Sequence, residues 1–305
     1  MAEDLDRLYS TFRNQLFEAK LLVASGVDGL YGRSETFERI VGGIDNLVTS
    51  LAKGDAPEVW RFPPVLPRTT LETTGYMKGF PQLAGIVHSF NGKDADHRKL
   101  LEELAEGKDW SHGMARTDVV LTPAACYPVY GVASGTLPGA GRIFDVFGYC
   151  FRHEPSIDPA RLVSFRMREN VCLGTPDFCV EWRQRWLERG KQLASDLGLP
   201  ASSDLANDPF FGRGGRMLAL DQRDRSLKFE VLVPVCSVEK PPAVMSFNYH
   251  EEHFSQPFAI HTADGKLAHT ACVGFGMERM TLALLKTHGL DVASWPAQVR
   301  DKLGL

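Results

Sequence analysis

The sequence lacks any long apolar run and any block of basic residues. No stretch approaches the roughly 18 consecutive apolar residues that indicate a membrane-spanning helix, so we expect no membrane partner. The formal net charge is -4, with 34 Lys and Arg against 38 Asp and Glu. Proteins whose main activity is to bind a nucleic-acid backbone usually carry a basic patch. The sequence has no such patch, so we do not expect a tRNA partner.

Paired cysteines are also missing. The six cysteines are scattered and form no C-x-x-C pair. The start, Met-Ala-Glu-Asp-Leu-Asp, has neither the basic nor the apolar segment of a signal peptide. We therefore expect a reducing, cytoplasmic environment.

What is present suggests one large domain with an appendage, or two modest domains. The chain has 305 residues, of which 44% are hydrophobic, and single cores stop growing beyond about 250 to 300 residues. Apolar residues at helical spacing predict helices over 4–24 and 35–52. A run of prolines follows. We therefore predict a helical N-terminal region over 1–56 and a main domain over 57–305.

Short strands dominate the main domain. Apolar and branched residues predict strands over 119–121, 142–152, 162–169, 229–235 and 269–273, and helices over 176–197 and 277–288. Because the strands come in clusters without regular strand-helix alternation, we expect an α+β fold with an antiparallel β-sheet flanked by helices. Segment 199–226 has an irregular composition and is interpreted as an insertion.

The stretch Cys272-Val-Gly-Phe-Gly-Met-Glu-Arg279 places two glycines before a predicted helix, with an arginine in its first turn. The glycines let the backbone approach a ligand, and the helix start offers free N–H groups. Arg279 adds a planar guanidinium. This combination is typical of a phosphate site.

Side-chain alternation divides the strand over 162–169 into two faces. Phe165, Met167 and Glu169 share one face, and Arg166 and Arg168 share the other. Glu169 is either a carboxylate that has reached water at the strand end, or a buried one that needs a partner or a metal.

The preceding strand ends in Phe151-Arg152-His153-Glu154. If the two strands are adjacent and antiparallel, Arg152, Glu154, Phe165 and Glu169 face one cleft. A structural ion pair between Arg152 and Glu154 is the alternative.

These residues resemble signature motifs of class II aminoacyl-tRNA synthetases. Phe151-Arg152-x-Glu154, a loop and Arg161-x-x-x-Phe165-x-x-x-Glu169 are similar to the second motif, and Gly274-Phe-Gly-Met-Glu-Arg279 to the third. The segment 64–81 resembles the first, dimer-forming motif of seryl-tRNA synthetases. The resemblance covers roughly 60–290 and implies a class II catalytic core and a homodimer.

Within that group the chain resembles the truncated homologues called amino acid:[carrier protein] ligases. About sixty residues precede the core, which is too short for the long tRNA-binding arm. The resemblance implies ATP-dependent formation of an aminoacyl-adenylate from glycine or alanine. It also implies transfer to the phosphopantetheine thiol of a carrier protein.

The resemblance assigns roles in ATP binding. Arg152 corresponds to the arginine on the α-phosphate, Arg279 to that on the γ-phosphate, Phe165 to the ring stacked on adenine and Glu154 to the glutamate near its amino group. Positioning and charge neutralisation supply most of what such a displacement needs.

A zinc site is implied in the same way, with Cys126, Glu169 and Cys272 as the matching ligands. Three protein ligands leave a fourth position for the substrate amine, which must be neutral to bind. Without the resemblance, lone cysteines are more often simply packed in the core.

Magnesium is implied by ATP, and Glu230 matches an acidic position of the core. The second acidic stretch of the family is replaced by Lys240-Pro-Pro-Ala-Val-Met-Ser-Phe. Lys228 and Asn248 correspond to positions near the amino acid. His250 and the other histidines lack metal-type spacing and are expected to form structural hydrogen bonds.

Two other functions fit parts of the sequence. A compact seryl-tRNA synthetase would share the active site, and an inactive regulatory homologue would only bind an amino acid. For the carrier protein, either segment 199–226 or helix 176–197, through Arg183, Arg185 and Arg189, offers a docking surface. Those arginines are otherwise an ordinary solvated helix face.

Overall fold

A computed structural model describes residues 4–139, 141–208 and 210–305. The α-helices are α1 Leu5–Glu18, α2 Glu35–Ala52, α3 Arg68–Thr73, α4 Tyr76–Gly79, α5 Asp94–Ala105, α6 Tyr127–Val132, α7 Pro176–Asp196, α8 Gly212–Asp224, α9 Ser255–Phe258, α10 Met277–His288 and α11 Ala297–Leu303. The strands are β1 Leu22–Val27, β2 Leu30–Arg33, β3 Glu58–Trp60, β4 Val65–Pro67, β5 Ile86–Ser89, β6 Ala115–Leu121, β7 Gly135–Thr136, β8 Arg142–Phe151, β9 Ser164–Gly174, β10 Ser202–Leu205, β11 Lys228–Leu232, β12 Ala243–Glu251, β13 Ile260–His261 and β14 His269–Gly276.

The central sheet has the order β10-β11-β12-β14-β9-β8-β3. Its strands pair antiparallel, apart from the short parallel pair of β3 and β8. Helices α2, α7 and α10 cover one face, where Trp182, Trp186 and Phe275 are fully buried. The α+β prediction is confirmed. Among the described residues, no helix combines the length and apolarity that crossing a bilayer requires.

The predicted helices over 176–197 and 277–288 agree closely with α7 and α10. Thr175 caps α7 by accepting a hydrogen bond from the backbone N–H of Phe178. Gly276 precedes α10 directly, so β14 runs straight into the helix, and both glycines lie at the end of the strand. The strand predicted over 162–169 extends to Gly174, which places Glu169 in its middle.

The N-terminal region is not entirely helical, contrary to the expectation over 4–24. Helix α1 stops at Glu18, and β1 and β2 form a hairpin. Gly26 and Gly29 both have positive φ values, of 91° and 79°, which only glycine adopts at little cost. Gly29 lies in the turn of the hairpin, and Gly26 lies near the end of β1, where the pairing with β2 shifts register.

Segment 199–226 is also more regular than expected. It contains β10, which pairs with β11 at the sheet edge, and helix α8. The residues of its polar strand, Ser202-Ser-Asp-Leu205, have weak intrinsic strand propensity, and those of its glycine-rich helix start have weak helix propensity. The surrounding fold therefore decides their structure. Central strand β12 was not predicted at all, although Met245, Phe247 and Tyr249 alternate with polar residues.

Two neighbouring glycines in α2 have opposite surroundings and give a test of the packing. A Cβ on Gly43 would lie 2.4 Å from the carbonyl oxygen of Leu303, whereas a Cβ on Gly42 would meet nothing within 4 Å. We expect Gly42→Ala to stabilise the protein by about 0.5–1 kcal/mol through the helix backbone. Gly43→Ala should destabilise it by about 1–3 kcal/mol by overpacking α2 against α11.

Urea unfolding of the two variants beside the wild type measures both effects. Equal changes in the free energy of unfolding would contradict the close contact of α2 and α11.

Candidate active site

A cleft of about 900 Å³ lies on the sheet face opposite α2, α7 and α10. Ligand sites of small molecules commonly have this size. The cleft brings together all of the sequence-predicted site residues, which are Cys126, Arg152, Glu154, Phe165, Glu169, Lys228, Glu230, Asn248, Cys272 and Arg279. Their joint position follows from strand alternation, since Phe165, Met167 and Glu169 of β9 all face it, as expected.

At one end of the cleft, Cys126, Glu169 and Cys272 form a buried cluster. One ligand atom from each lies within 4.8 Å of the other two. Cys126 precedes α6, Glu169 lies on β9 and Cys272 lies on the neighbouring β14. The Oε2 atom of Glu169 is buried and has no hydrogen-bond partner among the described residues. Two sulfurs and an unsatisfied carboxylate oxygen fit a tetrahedral zinc ion with one open position.

The electrostatics of this cluster also suit a cation. Burial and the neighbouring Cys272 raise the pKa of Glu169 to about 7. The pKa of Cys272 is lowered by hydrogen bonds from Cys126, His250 and Asn248, and that of Cys126 is raised by its bond to Cys272 and by burial. Without a metal, the raised pKa values of Cys126 and Glu169 favour the protonated forms of these two groups, and a bound cation would displace their protons.

Cys272 has two nitrogen neighbours on β12. Asn248 Nδ2 lies 3.4 Å and His250 Nε2 lies 3.5 Å from its Sγ atom. The other ring nitrogen of His250 lies 3.1 Å from Thr270 Oγ1, so the ring is held from both sides. His250 does form hydrogen bonds as expected, but its contact with Cys272 was missed. Recognition of β12 as a strand would have placed Asn248 and His250 on one face.

At the other end, Arg152 and Arg279 are held by backbone carbonyl groups. Arg279 donates from Nε to Ala160 O (2.8 Å) and from Nη1 to Ala243 O (3.1 Å). Arg152 donates from Nε to Pro123 O (3.2 Å). Burial lowers the pKa of Arg279, and the positive charge of Arg152 lowers it further. In the described part of the chain neither arginine has a carboxylate partner, which suits an anionic ligand.

The ion pair that was considered between Arg152 and Glu154 is absent, because Glu154 accepts from Arg161 instead (2.6 Å). The guanidinium of Arg152 lies 5.4 Å from the ring centre of Phe165. This ring and the two guanidinium groups of Arg152 and Arg279 therefore form one aromatic and basic surface.

Lys228 lies between two carboxylates. It forms ion pairs with Asp208 and, at 3.1 Å, with Glu230. Burial disfavours its charged form, but the two carboxylates outweigh burial and raise its pKa. Gln222 of α8 binds Asp208 in turn (2.9 Å). Asp208 was missed by the sequence analysis, because a pairing over 20 residues leaves no local signal.

Two curated proteins of Bradyrhizobium diazoefficiens are each 48% identical to this chain. They are named amino acid--[acyl-carrier-protein] ligase 1 and 2, and the alignment with the first covers 94% of this chain and 88% of that protein. A type-2 serine--tRNA ligase of Methanopyrus kandleri is 27% identical over 79% of this chain and 50% of its own length. No family model matches the sequence.

Solved structures share the fold at low identity. A structure of A. aeolicus tRNASec in complex with M. kandleri SerRS matches with a TM-score of 0.82 at 21% identity, over 96% of this chain and 60% of that one. Seryl-tRNA synthetase from Pyrococcus horikoshii, complexed with ATP, matches with a TM-score of 0.70 at 13% identity. The predicted class II synthetase fold is confirmed.

The raised pKa of Glu169 predicts a pH dependence of stability for the metal-free protein, which is prepared in the presence of a chelator. The folded state binds the Glu169 proton more tightly than the unfolded state between the ordinary pKa of 4.5 and about 7. The free energy of unfolding should therefore fall by about 3 kcal/mol as the pH rises through that window. Glu169→Gln carries no titrating group there and should lose this part of the pH dependence.

Urea unfolding of both proteins at several pH values between 4.5 and 7.5 measures the difference. All other carboxylates are common to the two proteins, so identical pH profiles would show that Glu169 titrates normally.

Proposed function

The chain belongs to the amino acid--[acyl-carrier-protein] ligase family, and we propose that it activates glycine or alanine with ATP for transfer to a carrier protein. The acceptor is the thiol of a phosphopantetheine group. One observation carries this proposal, namely a single cleft with two carboxylate-free guanidinium groups at one end and a Cys-Glu-Cys cluster at the other.

In the first step, a carboxylate oxygen of the amino acid attacks the α-phosphorus of ATP. The bond from that phosphorus to the bridging oxygen breaks, and pyrophosphate leaves. Arg152 holds the α-phosphate, where charge builds up, and Arg279 holds the γ-phosphate. Both groups are fixed by carbonyl oxygens, so little reorganisation is needed when the transition state forms. Phe165 offers the ring on which adenine stacks, and Glu154 lies beside it in the cleft.

Zinc is the metal that Cys126, Glu169 and Cys272 would hold. When bound, it supplies a Lewis-acid position for the neutral amino group of the substrate. Asn248 and His250 orient the sulfur of Cys272. Such outer contacts commonly change metal affinity by about 10–100-fold.

The wall beside the cluster supports a small substrate. The rings of Tyr130 and Phe254 stack with centres 4.1 Å apart, and His250 packs edge-on against Phe254. Tyr130 is fully buried, and Phe254 borders the cleft. Tyr130 supports Phe254 from behind, and Phe254 is the ring that a long side chain on the substrate would meet. Glycine and alanine differ by one methyl group, a difference worth about 1–3 kcal/mol.

Glu230 is the carboxylate that we assign to the magnesium of bound ATP. It lies on β11 in the cleft, where its Oε1 atom is 3.1 Å from the Nζ atom of Lys228. Segment 240–247 carries no acidic residue. Asp208, Asp221 and Glu251 also line the cleft, but Glu230 is the carboxylate that matches the acidic position of the core.

In the second step, the thiol of the carrier attacks the carbonyl carbon of the adenylate, and AMP leaves with its phosphate oxygen. For docking of the carrier we favour α8 over α7, on which Arg185 is the one exposed residue of the three named arginines. Arg183 of α7 is buried and donates to Ser226 O (2.7 Å), and Arg189 is paired with Asp55. On α8, Met217 and Leu220 are exposed, and Asp221 borders the cleft.

Pyrophosphate exchange into ATP, measured with each of the twenty amino acids, tests the first step. We expect exchange with glycine or alanine only, because the aromatic wall excludes larger side chains. Chelator should abolish the exchange, and zinc should restore it. Cys272→Ser should lose zinc and exchange together, whereas Cys236→Ser, outside the cluster, should keep both. Exchange with none of the amino acids would refute the proposal.

A parallel assay offers the enzyme either tRNA or a phosphopantetheinylated carrier protein. Loading of the carrier alone is expected. Charging of tRNA with serine would instead favour a compact seryl-tRNA synthetase, as in the type-2 serine--tRNA ligases that share half of their length with this chain.

The double variant Met217→Glu, Leu220→Glu tests the docking surface. The two added carboxylates should repel a carrier whose surface is acidic and apolar. Transfer of the aminoacyl group to the carrier should therefore fall by about tenfold or more, while pyrophosphate exchange stays normal. The control is Leu101→Glu, Leu104→Glu, which places the same charges on exposed positions of α5. Equal losses of transfer in the two double variants would contradict docking at α8.

A further inference from the structure

The N-terminal hairpin and helix α2 contact the active-site strands from behind. The carbonyl oxygen of Gly29, at the hairpin turn, accepts a hydrogen bond from the backbone N–H of Val163 (2.8 Å). Arg33 donates to the carbonyl oxygen of Ser164 (2.9 Å). The hairpin is thus bonded to the segment that leads from the Arg152 loop into β9.

The hairpin turn fits closely against this segment. A Cβ on Gly29 would lie 3.1 Å from the carbonyl oxygen of Arg161 and 3.2 Å from the backbone nitrogen of Val163. These distances are tighter than normal van der Waals contact, and both atoms belong to the backbone. Position 29 therefore has no room for a side chain without a shift of the 161–163 segment.

Four charged side chains, those of Arg33, Glu38, Arg166 and Glu278, connect α2 and the hairpin to β9 and α10. Arg166 on the rear face of β9 binds Glu38 with both terminal nitrogens, at 2.6 and 2.8 Å. Its Nε atom and its backbone N–H bind the two oxygens of Glu278, each at 2.7 Å. Arg33 lies 3.4 Å from Glu278. The cluster has two positive and two negative groups, so its burial leaves little net charge.

The same cluster is joined to the front of the site through the chain itself. Glu278 is followed by Arg279 in the first turn of α10, and Arg166 is preceded by Phe165 on β9. Arg279 in turn donates to Ala160 O, one residue before Arg161. Contacts from the N-terminal region therefore reach Ser164 and Arg166 on the two sides of Phe165, and Glu278 next to Arg279.

We propose that Gly29, Arg33 and Glu38 are positioning residues, which set the places of Phe165 and Arg279 for ATP. The inference rests on the proposed function, and it assigns a part in nucleotide binding to a region that contributes no lining residue to the described cleft. At the metal end, Cys126 precedes α6 and Cys272 lies on β14, and Glu169 lies in the middle of β9, beyond the hairpin contacts at Val163 and Ser164. We therefore expect the metal end to respond much less than the nucleotide end to changes in the hairpin.

Two matched pairs of variants test this role. Gly29→Ala is compared with Gly26→Ala, since both glycines have positive φ in the same hairpin but a Cβ at Gly26 would meet nothing within 4 Å. Glu38→Gln is compared with Glu35→Gln, an exposed position in the same first turn of α2. Each pair makes the same chemical change with and without the contact.

We expect the KM for ATP in the exchange assay to rise about tenfold in Gly29→Ala and Glu38→Gln, since small displacements of positioned groups carry large rate effects. The KM for glycine and the zinc content should change by less than about twofold in all four variants, because neither depends on the nucleotide end. Gly26→Ala and Glu35→Gln should keep the wild-type KM for ATP. Equal KM values for ATP within each pair would overturn the proposal.

Amide hydrogen exchange gives a readout that does not need activity. The amide of Val163 should exchange faster in Gly29→Ala than in Gly26→Ala, because its acceptor is displaced. If wild-type protein shows no pyrophosphate exchange, the proposed function fails, and the Val163 amide still tests the contact. If the wild type is active and the Val163 amide is equally protected in both variants, the positioning role fails alone.

Discussion

The two-faced character of β9 is the constraint on which the rest of the structure depends. Successive side chains of a strand point to opposite sides of the sheet. Phe165 and Glu169 therefore face the cleft, while Arg166 and Arg168 face the rear layer. Arg168 is buried there between Asp45 of α2 and Asp145 of β8. A shift of register by one residue would place two arginines in the metal end and bury Glu169 behind the sheet.

The two ends of the cleft have opposite electrostatic requirements. Arg152 and Arg279 lie close together, and among the described residues neither forms an ion pair with a carboxylate, so a polyanion suits them. Cys126, Glu169 and Cys272 gather groups that become negative when deprotonated, so a cation balances them. This polarity in one cavity suits the proposed reaction, in which an amino acid held by a metal is joined to a nucleotide phosphate.

Much of the fold and the site followed from the sequence, because the determining signals are local. The alternation on β9 and the cap of α7 can be recognised in a few consecutive residues. The resemblance to the signature motifs assigned Arg152, Glu169 and Arg279 to one site, and all three line the same cleft. His250 was missed because β12 was missed, although its period-two pattern was present. No local sequence pattern pointed to Asp208, since it meets Lys228 only in the folded chain. The β1–β2 hairpin was hidden by apolar spacing that also fits a helix.

The short segment before α6 serves two parts of the site at once. The carbonyl oxygen of Pro123 accepts the hydrogen bond of Arg152, and three residues later Cys126 belongs to the cation cluster. One backbone conformation therefore fixes both the acceptor of a guanidinium group and a thiol of the cluster. Substitutions in this stretch are constrained twice, because the backbone has to satisfy both contacts.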